Sequence, residues 1–246
     1  VQASGAADMI EVEGLTVRFG GVVPIDDMTL TLSGGTCGLI GPNGAGKTTF
    51  FNVLSGFVKP VAGAVHAFGD DLLALADYRR ARWGLRRTFQ TEQAIADLSV
   101  FDNVLLVREN TQGGRATQRQ DVMDAVAFVG LEPEANRLVG TLGAAQRRLV
   151  EVARAVVGSP RVVLLDEPAA GLPDDETEHL GQLIRRIPEE FEALVVLVDH
   201  DMSLVSACCA TTAVLDFGKL IASGTTAEVL RDEHVIRAYL GTEEEL

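Results

Sequence analysis

Met9 to Phe19 and Met28 to Leu32 alternate apolar with polar residues, the period-2 pattern of half-buried antiparallel strands. A small β-lobe is expected there. Thr36 to Ile40 is a short apolar run ahead of a glycine cluster and reads as a buried strand, and Lys47 to Leu54 behind the glycines reads as a helix. From about Thr91 to Ser159 the period becomes helical: Val122, Ala125, Val126 and Val129 recur at i, i+3, i+4 and i+7, and Gly130 supplies a stop. The polar run Asn110 to Gln120 predicts an exposed loop before that helix. Strand–helix alternation then returns. Val162 to Leu165 and Leu194 to Val198 are continuous apolar runs typical of buried parallel strands, separated by a helix from about Asp175 to Ile187. Two more short strands, near Thr212 to Leu215 and Leu220 to Ala222, close the core. There is no internal repeat, and low-complexity sequence is confined to the acidic end Glu243 to Glu245.

Composition removes several function classes. With 246 residues, 47% hydrophobic and 23% charged, the chain can bury a full core as one large domain or two lobes. Its 21 basic residues against 35 acidic give a net charge of −14, and a surface so acidic repels phosphate backbones, so no nucleic acid partner is expected. The lysines are Lys47, Lys59 and Lys219, which leaves no basic lysine cluster for a membrane surface. Cys37 and the adjacent Cys208 and Cys209 show no metal spacing and read as reduced, buried thiols of a cytosolic protein. No run of about 18 apolar residues occurs, so the chain is not expected to span a membrane by itself. Val1 to Asp8 is short, mixed and acidic rather than a secretory signal; the missing initiator Met suggests a processed end or a segment of a longer chain.

Against this background two motifs carry chemistry. Gly41-Pro42-Asn43-Gly44-Ala45-Gly46-Lys47-Thr48, followed by Thr49, fits G-x-x-x-x-G-K-[ST] at every fixed position and lies between a strand and a helix. Glycines let backbone N–H groups turn onto phosphate oxygens, and the helix offers them its positive end. Lys47 reaches the β- and γ-phosphates, and the Thr48 hydroxyl ligates Mg²⁺. The second motif is the apolar strand Val162 to Leu165 ending in Asp166-Glu167. Asp166 there can hold Mg²⁺, through water, and Glu167 can polarise an attacking water.

The order phosphate loop, Phe89-Gln90, Leu142 to Gln146, Asp166-Glu167, His200 resembles the nucleotide-binding domain of ABC transporters over nearly the whole chain. The resemblance implies an α/β P-loop NTPase with a RecA-like core, an N-terminal antiparallel β-lobe and an inserted helical subdomain. Residues 1–90 and 159–246 would form core and lobe, and 91–158 the helical insertion. It further implies ATP and Mg²⁺ as cofactors, Phe19 stacking on adenine, Gln90 sensing the γ-phosphate and Mg²⁺, and His200 contacting the γ-phosphate. The residues just after Gln90, Thr91 to Ala94, would meet a short helix of a membrane subunit.

Two segments depart from the family. Where such proteins carry Leu-Ser-Gly-Gly-Gln, this chain has Leu142-Gly143-Ala144-Ala145-Gln146, followed by a well-matched Arg147-Arg148-Leu149. In the family that segment grips the γ-phosphate held by the opposite subunit, and losing the serine hydroxyl removes a hydrogen bond to a charged group worth about 1.5–3 kcal/mol. Pro173 also replaces an Asp or Asn common in relatives. Both departures favour a heterodimer whose second nucleotide-binding subunit supplies an intact signature. Within the family, Arg18-Phe19-Gly20-Gly21, Arg87-Thr88-Phe89-Gln90, His200-Asp201-Met202 and the ending Val235 to Gly241 resemble importers of branched-chain amino acids and similar small solutes. The segment between Gln90 and Leu142 is shorter than that subgroup commonly has. The expectation is therefore a transport ATPase on the cytoplasmic face of the membrane, peripheral through permease subunits and served indirectly by a solute-binding protein. The alternatives are a low-turnover regulatory member of an asymmetric pair and a soluble ABC-type ATPase of assembly or repair.

Overall fold

The alternation along the first strand delivers Ile10, Val12, Leu15 and Val17 to one buried face, and a bulge between Val12 and Leu15 keeps them in phase. A computed structural model describes residues 9–111 and 117–240, without the side chains of 239 and 240. Val1 to Asp8, part of the Asn110 to Gln120 run, Gly241 and the acidic end Glu243 to Glu245 lie outside the described residues. In chain order the elements are β1 (Met9–Phe19), β2 (Val22–Ser33), β3 (Thr36–Ile40), α1 (Lys47–Ser55), β4 (Ala62–Ala67), β5 (Asp70–Asp71), α2 (Asp77–Trp83) and β6 (Leu85–Arg87). They continue as α3 (Val100–Glu109), α4 (Gln118–Phe128), α5 (Ala144–Val156), β7 (Val162–Asp166), α6 (Asp174–Phe191), β8 (Leu194–Val198) and α7 (Met202–Cys208). The last are β9 (Thr211–Asp216), β10 (Lys219–Thr225), α8 (Thr226–Val229) and α9 (Glu233–Leu240).

Two compact units result, one of residues 1–80 with 196–246 and one of residues 81–195. In the first, an antiparallel sheet runs β2-β1-β4-β5, the expected β-lobe with two strands added. Also in this unit, β9 lies between β10, antiparallel, and β3, parallel. Every residue of β3 is buried, as its apolar run requires, and Phe50, Phe51 and Leu54 of α1 are fully buried.

α1 ends on an arrangement that periodicity does not show. The buried Arg80 guanidinium of α2 donates to the carbonyls of Val53 and Leu54, the latter at 2.9 Å, and its Nε donates to Leu75 O at 2.9 Å. Those carbonyls belong to the last turn of the helix, where carbonyls lack intrahelical donors, although Val53 O also accepts from Gly56 N–H at 3.1 Å. Burial lowers the Arg80 pKa, with Asp71 and Asp77 opposing the shift.

In the second unit β6 and β7 pair in parallel. α4 buries Val122, Ala125 and Val126 as its spacing predicts, and α6 buries Leu180, Leu183, Ile184 and Ile187. Two expectations need correction. Gln118 to Gln120 belong to α4 rather than to an exposed loop. α6 does not stop at Ile187; it continues through Pro188 to Phe191, whose ring meets Phe128 edge-on at 4.9 Å and holds the last turn that Pro188 weakens. Cys37, Cys208 and Cys209 are buried, as expected, and form no disulfide among the described residues.

Because Arg80 satisfies the end of α1, Arg80→Met is expected to lower the unfolding free energy by about 2–3 kcal/mol, measured by urea denaturation, and an unchanged midpoint would show that water replaces the guanidinium there.

Candidate functional site

Close approach of backbone dictates the spelling of the glycine loop. A Cβ on Gly41 would lie 2.1 Å from Leu215 O of β9, and one on Gly46 would lie 2.3 Å from Pro24 O of β2. Both glycines also hold positive φ, 151° and 108°, so no other residue fits either end of the loop. The turn after β9 completes the clamp. Gly218 N–H donates to Ala45 O at 3.0 Å, and Asp26 N–H donates to Gly218 O at 2.9 Å.

Inside this loop Lys47 is buried, and its ammonium donates to Gly41 O and to Pro42 O, the latter at 2.9 Å. Gly46 caps α1 without a side-chain bond and the first turn holds no acidic residue. The helix N-terminus therefore keeps donors and positive potential for an anion. Pro42, Asn43, Gly44 and Ala45 form the body of the loop, while Thr48 is exposed and Thr49 half-buried at the start of α1. Phe19 is 53% exposed at the end of β1, which excludes a core role. His200 follows β8, also with an exposed side chain, and its backbone N–H donates to buried Asp199 Oδ1 at 2.8 Å. Asp201 caps α7 by accepting from Ser203 N and Leu204 N. The Ser203 hydroxyl, then these amides and nearby His200, hold the Asp201 carboxyl below its usual pKa against the effect of burial.

The second unit contributes the acidic strand end. Asp166 closes β7 and accepts a 2.8 Å ion pair from Arg87 of β6, both side chains only 5% exposed. Its N–H donates to Thr88 Oγ1 at 3.1 Å. Glu167 has φ 47°, a left-handed turn directly after the strand, and its Oε2 accepts from Gln90 Nε2 at 2.8 Å. Gln90 and Glu167, far apart in sequence, thus meet.

The signature segment opens α5. Leu142 is buried, Gly143 and Ala144 are exposed, and Ala145 and Gln146 are half-buried. Gly143 stands at the N-cap and its N–H donates to Gln146 Oε1 at 3.2 Å. A Cβ on Gly143 would meet only that oxygen, at 4.0 Å. Downstream, α5 is tied to the segment following Gln90 by Arg147 to Glu92 at 2.9 Å, by Arg148 to Gln90 O at 3.4 Å, and by Glu151 accepting from Gln93 N at 2.8 Å. Sequence reasoning missed Glu92, Glu151, the Arg87 ion pair and the Phe217-Gly218 turn. Only the turn had a local signal, a glycine between two predicted strands.

Among the described residues no cluster of His, Cys, Asp or Glu could hold a metal by itself. That fits Mg²⁺ held mainly by substrate phosphates and water, with one or two protein oxygens such as the exposed Thr48 hydroxyl.

A strand–glycine loop–helix of this geometry and an acidic strand end define a P-loop NTPase. Residues 25–170 match the ABC transporter family, and residues 219–245 match a family described as branched-chain amino acid ATP-binding cassette transporter. The high-affinity branched-chain amino acid transport ATP-binding protein BraF of Pseudomonas aeruginosa is 36% identical, over 95% of this chain and 98% of its own. The lipopolysaccharide export system ATP-binding protein LptB of Escherichia coli is also 36% identical, over 88% of this chain and 90% of its own. Among solved structures, an ATP-binding cassette of an ABC transporter in its ADP conformation superimposes with a TM-score of 0.85 at 24% identity, covering 95% of this chain and 98% of that one. The chain belongs to the ABC transporter family and is one of its ATP-hydrolysing cassettes.

Removing one member of a buried ion pair leaves the other uncompensated. Arg87→Met is expected to cost about 3–5 kcal/mol of stability, and adding Asp166→Asn should restore part of it in a urea double-mutant cycle; additive losses would show that the two groups do not interact.

Proposed function

We propose that the chain is the ATPase subunit of an importer of branched-chain amino acids or similar small solutes. The phosphate loop locked between Leu215 O and Pro24 O supports ATP as the fuel. For the cargo, the observation that carries the reading is the match of residues 219–245 to the branched-chain amino acid cassette family. BraF and LptB are equally identical to the chain, and BraF aligns with more of it, 95% against 88%, which supports the same reading.

Each side chain then has a task. The loop amides and Lys47 receive the phosphates, the ammonium exchanging the carbonyls of Gly41 and Pro42 for charged oxygens. Exposed Phe19 offers a face for adenine. Bound Mg²⁺ would neutralise charge on the β- and γ-phosphates, with Thr48 as ligand, Asp166 acting through water and Gln90 as the sensing ligand. The Arg87 bond to Asp166 Oδ2 holds that carboxylate at the strand end. Glu167 orients the attacking water and accepts its proton, and His200 contacts the γ-phosphate. The Gln90–Glu167 hydrogen bond adds a condition: Gln90 must release the carboxylate as it turns to the phosphate. Among the described residues no helix is long and apolar enough to cross a membrane. As a transport ATP-binding subunit like BraF, the chain would work peripherally at the cytoplasmic face through permease subunits. Thr91 to Ala94 contact them, a solute-binding protein delivers the cargo, and a second nucleotide-binding subunit completes the pair.

A second reading, a low-turnover site in an asymmetric heterodimer, rests on Gly143. Its N-cap geometry suits Ser, and the open space there would accept the added hydroxyl.

In the transporter assembled with its partner cassette, Glu167→Gln is expected to cut steady-state ATPase by at least about 100-fold while ATP binding persists. Gly143→Ser should raise turnover by up to about tenfold. If Glu167→Gln abolishes hydrolysis and Gly143→Ser changes nothing, the altered signature is not limiting. Stimulation of ATPase by a solute-binding protein loaded with leucine, isoleucine or valine tests the cargo, and indifference to all three would exclude it.

A further inference from the structure

The second unit contains a cavity of about 410 Å³ on which Arg82, Arg86, Arg108 and Arg161 converge, with Asp121 as its one carboxylate. This concentration of cations is unexpected in a chain of net charge −14. Asp121 is committed to Arg108: its Oδ2 accepts from Arg108 Nε and Nη2, each at 2.6 Å, and from Thr117 Oγ1 at 3.2 Å. Arg161 lies over the Trp83 ring at 4.4 Å. Arg86 is different. It is 5% exposed, its Nη1 donates to the carbonyls of Ala81 and Leu85, and its Nε has no hydrogen-bond partner among the described residues. Burial, and after it the charge of Arg108, pushes the Arg86 pKa down to about 10. An orphaned guanidinium N–H at a cavity wall is costly unless an acceptor enters the cavity.

Two glycines hold the cavity in this form. A Cβ on Gly84 would lie 2.9 Å from Arg161 Cγ, and one on Gly158 would lie 2.9 Å from Arg108 Cδ. A side chain at either position would displace an arginine from the wall. Guanidinium forks match the oxygens of phosphate two at a time. The volume is within the range of small-molecule sites and exceeds that of a single phosphate ion.

We propose that this cavity is a binding site for a small phosphate-bearing anion, a diphosphate or a phosphate ester, distinct from the phosphate loop. Arg86 supplies the buried guanidinium of the wall, and Arg82 and Arg161 close over the ligand from the more exposed side.

The test is calorimetric titration of the full chain with inorganic pyrophosphate in the absence of divalent cations. Lys47→Ala disables the phosphate loop and should leave one binding event intact. Arg82→Gln and Arg161→Gln, both on side chains outside the buried core, should each weaken that event by about tenfold, and Arg86→Met should remove it. Should Arg86→Met fail to fold, the two milder variants decide. Citrate, a tricarboxylate of similar charge at neutral pH, should bind more weakly, and equal affinity would overturn the phosphate assignment. Loss of all binding in Lys47→Ala, indifference to Arg82→Gln and Arg161→Gln, or no heat at millimolar pyrophosphate would each overturn the site itself.

Discussion

Two carbonyl oxygens, Leu215 O and Pro24 O, leave no room for a side chain at either end of the phosphate loop. The rest of the nucleotide machinery in the first unit depends on that constraint. It fixes the loop against β9 and β2 before any ligand arrives, and the Gly218 N–H to Ala45 O bond ties its middle to the turn after β9. A loop held from outside keeps its amides oriented, so little ordering cost falls on the binding step. The same constraint explains a division of labour. α1 carries no capping side chain at its start, where the anion belongs, and relies on Arg80 at its other end, where carbonyls need donors.

Charge is placed with similar economy. The chain is strongly acidic overall, yet the cations at its centre are buried and each meets a specific acceptor. Lys47 rests on two loop carbonyls, which offset part of its desolvation without a ligand. Arg87 rests on Asp166, which holds that carboxylate at the strand end in one orientation. Arg86 rests on the carbonyls of Ala81 and Leu85 and lines the arginine-rich cavity with no carboxylate partner among the described residues.

How far the sequence could be read follows from how local each determinant is. β3, β7 and β8 are continuous apolar runs because they are buried throughout, and their bounds were predicted to within a residue. α4 was visible through its spacing. β4 was not, since Ala62–Ala67 holds Ala and Gly with little β-branched character, and pairing with β1 makes it a strand. α2 is short and charged, without an apolar stripe, and what it provides is Arg80. The loop residues, Asp166, Glu167, Gln90 and His200 could be named because their types and order carry the family pattern. Their partners could not: Arg87 to Asp166 and Arg147 to Glu92 span 79 and 55 residues, and periodicity reports only neighbours.

Those long-range bonds change what the signature segment means mechanically. Arg147 and Arg148 are neighbours on α5 and Glu151 lies one turn further along, and all three bind the segment Gln90 to Gln93. Gln90 in turn holds Glu167. A displacement of Gln90 toward a γ-phosphate therefore has to be accommodated by α5, whose first turn is the signature. An exposed polar bond such as Arg147–Glu92 contributes little to stability, but several bonds along one helix fix its register against the segment. The degenerate residues Gly143, Ala144 and Ala145 thus stand at the free end of an element whose other contacts are intact. The bonds between α5 and the glutamine segment are made in this chain, while at the helix start Gly143, Ala144 and Ala145 stand where the resemblance implies Ser-Gly-Gly.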